Sequence, residues 1–88
     1  MGQVRVMKIL VTKKAEKELN RLHDQLAKNI VKHILTLAQN PYPANSKKLQ
    51  GVGNWRLRVG SFRVLYAIDK KNKEITFFRV ADRKTVYR

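Results

Sequence analysis

Hydrophobic positions along this chain follow two different periods, and the change falls near Pro43. Val4 to Val11 is rich in Val, Ile and Leu and predicts a first strand. Thr12 has the side chain of a helix N-cap, and Glu16 and Glu18 follow near the positive end of the dipole. Ala15, Leu19 and Leu22 recur at i, i+4 and i+7, which predicts a short helix with one apolar stripe. His23-Asp24 interrupts that stripe, and Asp24 is the expected cap of a second helix. There Leu26, Ile30, Ile34 and Leu37 line one face, widened by Ala27, Val31 and Ala38. Pro41 disfavours helical geometry at Asn40 and stops the helix there. A joint this short predicts an antiparallel helical hairpin.

Beyond Pro43 the period is two. Trp55, Leu57 and Val59 alternate with Arg56 and Arg58, so the two sets lie on opposite faces of a strand over residues 54–59. Gly60-Ser61 fits a two-residue hairpin turn with glycine first. A strand over 62–68, a charged turn over 69–73 and a strand over 74–81 follow. The order β-α-α-β-β-β predicts one α+β domain over residues 1–88, with the helical hairpin packed on one face of a small twisted antiparallel sheet. Asn40-Pro41-Tyr42-Pro43 is a turn rather than a domain boundary, and no internal repeat is visible.

Composition narrows the partners. The 88 residues hold 20 Lys and Arg against 6 Asp and Glu, a net charge of +14. A chain this cationic attracts phosphate backbones, and nucleic acid is the leading partner on charge alone. Solubility, an anionic membrane surface and an acidic protein partner also fit that balance. Residues 1–40 carry 8 cations and 3 acids, whereas residues 41–88 carry 12 and 3, so the C-terminal half holds most of the excess. Arg56, Arg58, Arg63, Arg79 and Arg83 lie in or just beyond adjacent strands, and the nearest acids in sequence are Asp69, Glu74 and Asp82. Arginine's planar donor fork suits phosphate.

Several chemistries are missing. With no cysteine there are no disulfides, thiolate ligands or thiol catalysis, which fits a reducing cytoplasm. No apolar run is long enough for a membrane span, and the N-terminus lacks the features of a secretory signal. There is no P-loop, HExxH or paired-carboxylate pattern. Gly51 and Gly53 form a turn with no helix behind it. His23 and His33 lie on or beside the helices, away from the arginine strands. No metal or cofactor is expected, and an enzyme built from this chain would work with Arg, Lys and Tyr.

Three segments carry a family resemblance: Lys48-Leu49-Gln50-Gly51, then Trp55-Arg56-Leu57-Arg58-Val59-Gly60-Ser61-Phe62-Arg63-Val64-Leu65-Tyr66, then Arg79 to Arg88. They resemble the RelE-type toxins of toxin–antitoxin systems, and the segment Lys13 to Leu19 with its following helix also fits. The resemblance implies a cytoplasmic, ribosome-dependent endoribonuclease that cuts messenger RNA in the decoding site of the small subunit, inhibits translation, and is held inactive by an antitoxin. It implies catalytic roles for Arg63, Arg83 and Tyr87. Arg56 and Arg58 stand where the family has basic residues, and Arg79, Lys47, Lys48, Lys84 and Arg88 are the further expected RNA or ribosome contacts. Arg83 and Tyr87 are four residues apart, a shorter spacing than in some members. Asp82 occupies a place where many relatives have histidine, which leaves Tyr87 as the candidate base.

Cleavage through the internal 2′-OH needs proton abstraction, stabilisation of a charged phosphorane and help for the leaving 5′ oxygen. Arg63 and Arg83 suit the second task, since arginine is not deprotonated in proteins. Tyr87, near pKa ~10 when unperturbed, becomes a base where surrounding cations favour phenolate. The products would be a 2′,3′-cyclic phosphate and a 5′-OH. The antitoxin is expected to be an acidic, partly disordered segment that wraps the basic groove. Two alternatives are a ParE-type toxin that inhibits DNA gyrase without cutting RNA, and a non-catalytic basic nucleic-acid-binding domain.

Overall fold

The computed structural model describes residues 7–49 and 53–82. Seven elements follow in order: β1 (Lys8–Val11), α1 (Lys13–Asn20), α2 (Asp24–Leu37), β2 (Ser46–Lys48), β3 (Asn54–Val59), β4 (Phe62–Asp69) and β5 (Glu74–Asp82). They form an α+β domain in which both helices contribute to a core on one face of a five-stranded sheet of order β1-β5-β4-β3-β2. The meander β2 to β5 is antiparallel, but β1 joins β5 in parallel, so the sheet is mixed rather than wholly antiparallel. Two helices separate β1 from the meander, and they supply the long connection that parallel pairing requires.

Local chemistry explains the element ends. Thr12 Oγ1 accepts from the Ala15 N–H at 3.2 Å and caps α1 as expected. At α2 the N-cap is His23, which makes no side-chain cap bond; Asp24 is instead the first helical residue, where its charge meets the dipole. The second helix ends at Leu37, three residues before Asn40, and the Gln39 and Asn40 amides both reach the Thr36 carbonyl. Ile30, Ile34 and Leu37 are buried on its inner face with Ala38, but Val31 and Leu35 point outward. Val31 therefore does not widen the buried stripe. Gly60 has φ of +59°, and with Ser61 makes the glycine-first hairpin turn.

Leu57, Val59, Phe62, Val64, Tyr66, Ile75, Phe77 and Val80 face the helices and close the core with Ala15. Tyr66 is fully buried, and its hydroxyl donates to the Pro41 carbonyl at 2.9 Å, which ties β4 to the turn after α2. Burial holds its phenol above the ordinary tyrosine pKa, and a side-chain bond with Ser46 partly opposes that. Among the described residues no helix is long and apolar enough to cross a membrane.

Candidate nucleic-acid interface

The sheet face turned away from the helices gathers the cations. Strand alternation in β3 sends Leu57 and Val59 into the core and Arg56 and Arg58 outward. Register then aligns the outward side chains across strands. Lys47 stands opposite Arg56, Arg56 opposite Leu65, and Leu65 opposite Arg79, forming one row across β2, β3, β4 and β5. In the next row Arg58 stands opposite Arg63, and Arg63 opposite Ala81. Arg56, Arg63, Leu65, Arg79 and Ala81 line a shallow cleft of about 210 Å³, with Leu49 at its edge. The Arg63 Nε is shielded from solvent there, while Arg58 is exposed.

Arg79 reaches this face because β5 is irregular. Ile75 and Phe77 point into the core, so a regular strand would carry Arg79 inward after them. The register shifts between Leu65 and Tyr66: Leu65 faces Arg79, whereas Tyr66 faces Phe77, leaving Phe78 as the extra residue of a β-bulge. The bulge inverts the alternation, which buries Val80 and turns Arg79 and Ala81 outward.

One acid that the strands alone do not reveal restrains this arginine. Glu18 of α1 accepts from the Val80 N–H at 2.7 Å, and its other oxygen lies 3.4 Å from the Arg79 Nε. Val80 lies past the end of the β1 pairing, which stops at Val11 opposite Phe77, so the carboxylate satisfies an edge amide. The sequence signal is visible in retrospect: Glu18 falls within the apolar stripe of Ala15, Leu19 and Leu22. Asp82 pairs with Phe62 and lines a separate cleft with Glu18 and Arg21. Asp69 and Glu74 sit at the opposite end of the meander, facing each other. Hydrogen bonds from the Asn72 backbone and side chain hold the Asp69 carboxyl below its usual pKa.

Five expected contacts therefore share one face: Lys47, Arg56, Arg58, Arg63 and Arg79. Lys48 does not join them. It lies opposite Trp55, and so projects with that ring toward the other face. Arg83, Lys84, Tyr87 and Arg88 lie outside the described residues.

Residues 9–87 match the family model described as the ParE toxin of type II toxin–antitoxin systems, parDE. The chain belongs to the RelE/ParE toxin superfamily. Solved structures share the fold. The archaeal RelE–RelB complex from Pyrococcus horikoshii superposes with a TM-score of 0.81 at 25% identity, over 89% of this chain and 96% of that one. The RelBE2 toxin–antitoxin complex from Mycobacterium tuberculosis gives 0.78 at 24%, over 88% and 98%. A chromosomal ParDE system from P. aeruginosa gives 0.72 at 18%, over 89% and 97%. A search of curated proteins returns no match. The RelE/ParE fold thus houses two named branches, RelE and ParE, and the chain has structural relatives in both.

Proposed function

We propose that this toxin is a ribosome-dependent messenger-RNA endoribonuclease that acts in the cytoplasm without a metal ion. The observation that carries the reading is the pair of cross-strand rows on the open sheet face, Lys47–Arg56–Leu65–Arg79 and Arg58–Arg63–Ala81. Direct opposition of like charges costs a sheet stability, so the arrangement makes sense where a polyanion neutralises it. Arg63, shielded in the shallow cleft, is the residue placed to stabilise the phosphorane, and preorganised cations are suited to that task. Arg56, Arg58, Arg79 and Lys47 hold the RNA backbone. Arg83 joins Arg63 on the reacting phosphate, Tyr87 takes the 2′-OH proton, and Lys84 and Arg88 add contacts to the ribosomal decoding site.

An acidic antitoxin completes the system. The Pyrococcus and Mycobacterium relatives were solved as toxin–antitoxin complexes, and here the cationic face is the complementary surface for such a partner. The second reading is inhibition of DNA gyrase without RNA cleavage, favoured by the match of residues 9–87 to the ParE family model.

One experiment separates the two. The toxin is incubated with translating ribosomes and message ends are mapped, beside a gyrase supercoiling assay. Cleavage leaving 2′,3′-cyclic phosphate and 5′-OH ends, lost in folded Arg63→Ala and Tyr87→Phe variants, is the expected result. Intact message with blocked supercoiling assigns the chain to the gyrase branch. Salt-dependent RNA binding with neither activity leaves only a binding domain.

A further inference from the structure

Across the sheet from the arginine rows, and separate from them, lies a larger cleft of about 540 Å³. Its walls are two aromatic rings, Tyr42 and Trp55, with centroids 4.8 Å apart and planes tilted by 58°. Lys48 and Lys70 stand at its rim, and Gly53 and Ile68 also line it. Tyr42 is 42% exposed; Trp55 packs against the core but is only partly buried, so the rest of its ring lines the cleft. The Lys70 ammonium lies 5.9 Å from the Tyr42 centroid, over a ring that attracts cations.

The platform is held in place before any ligand arrives. Tyr42 sits between Pro41 and Pro43, its N–H donates to Asn40 Oδ1 at 3.2 Å, and Tyr66 grips the Pro41 carbonyl. Trp55 is fixed by pairing with both Lys48 and Tyr66. Asp69, the one acid on the lining, has its carboxylate engaged by Asn72.

We propose that this cleft binds one unpaired nucleobase of single-stranded RNA, stacked on the Tyr42–Trp55 pair with its flanking phosphates on Lys48 and Lys70. The choice of RNA rests on the proposed ribonuclease function. Aromatic rings interleaved with cations are the chemistry of sequence-tolerant single-strand binding, and the volume falls in the range of small-ligand sites. The thin edge strand β2 links the two faces: Lys47 belongs to the arginine row and Lys48 to the cleft. A strand of RNA passing over that edge meets a lysine on each side.

Trp55 is the only tryptophan in the chain, so its fluorescence reports this cleft. Titration of the whole toxin, without ribosomes, with an eight-nucleotide oligouridylate or oligoadenylate should quench Trp55 saturably. Anisotropy of the labelled oligonucleotide should show affinity reduced by about tenfold in Tyr42→Ala, the scale of one lost stack. Tyr42→Phe should retain most of it, and Lys28→Ala, which removes an equal charge from α2, should change it little. Three results overturn the proposal: no Trp55 response to RNA, equal quenching by heparin, or tighter binding of an acidic peptide carrying one phenylalanine. Cleavage of message with a silent Trp55 sinks the cleft and spares the nuclease; quenching by RNA without cleavage on ribosomes does the reverse.

Discussion

Arg58 and Arg63 stand directly opposite one another across β3 and β4, in a site where the two strands exchange no hydrogen bonds. The Arg58 backbone turns instead toward β2: its N–H donates to the Asn45 carbonyl at 3.2 Å, and its carbonyl accepts from Asn45 Nδ2 at 2.9 Å. Such pairs bring Cα atoms to about 4.5 Å and side chains closest together. Replacing Arg58 with Thr should therefore raise unfolding stability by about 0.2–1 kcal/mol at low salt. The gain should shrink toward zero near ~1 M salt, where screening reaches about 3 Å. RNA binding by the same variant should weaken, with the salt slope smaller by about 1. Urea melts at two ionic strengths, beside a binding titration, test both halves.

Glu18 does two separable jobs. Its bond to the Val80 amide is structural, whereas its contact with Arg79 is a single, partly buried ion pair at 3.4 Å that solvent still screens at the arginine, contributing about 0–1 kcal/mol. Glu18→Ala should cost about 1–3 kcal/mol by orphaning that amide. Glu18→Gln keeps an acceptor for the amide and should cost less, while releasing Arg79 for phosphate. The Gln variant should then bind RNA more tightly than the parent, with a steeper salt dependence. Equal RNA affinity in the two proteins would show that Glu18 does not compete for the guanidinium.

Tyr66 should set an alkaline limit on stability. Its phenol resists ionisation in the fold because it is buried, so its pKa there is raised above the unfolded value. Its contribution is fully present below about pH 10 and is lost as pH climbs through the higher folded value, because the unfolded chain ionises first. Tyr66→Phe removes the hydroxyl on Pro41 and should lower neutral-pH stability by about 1–3 kcal/mol. Its stability should fall less steeply above pH 10 than that of the parent, as measured by denaturant melts across the alkaline range.

Two glycines with positive φ should respond differently to alanine. At Gly60, φ is +59° and a Cβ would meet nothing within 4 Å, so the penalty is backbone strain alone, about 1–2 kcal/mol. At Gly53, φ is +74° and a Cβ would lie 2.8 Å from the Ile68 carbonyl oxygen. That backbone is held close by the Ile68 N–H donating to the Gly53 carbonyl at 2.7 Å. Gly53→Ala should therefore cost clearly more than Gly60→Ala, and thermal melts of the two variants rank them.

Period and turn chemistry carry much of the architecture. The stripe from Leu26 to Leu37, the alternation from Trp55 to Val59 and the glycine-first turn each arise from contacts only a few residues apart, and each is legible without coordinates. Ser46–Lys48 is not, because a three-residue polar edge strand has no hydrophobic alternation to betray it; only pairing with β3 defines it. The parallel docking of β1 is likewise a long-range event. The same division runs through the site. Arg56 and Arg58 are placed by parity, but the facing of Arg79 depends on the register shift near Leu65, and its restraint on a helix 61 residues away in sequence. Lys48 parts from Lys47 because adjacent strand residues face opposite ways.

The unmatched residue at Phe78 makes sidedness a matter of counting. β1 anchors the first half of β5 through pairs ending at Val11 and Phe77, so that half cannot rotate to absorb a change downstream. Deleting Phe78 would let Arg79 follow Phe77 directly, facing Leu65 beside Tyr66 in a regular ladder, so Arg79 would stay outward and Val80 inward. Straightening the bulge with Phe78 retained is what would exchange interior and ligand surface, so the extra residue and the irregularity come or go together. A regular strand one residue shorter would build the same wall, so this position can lose a residue and keep both faces where it could not tolerate a change of register.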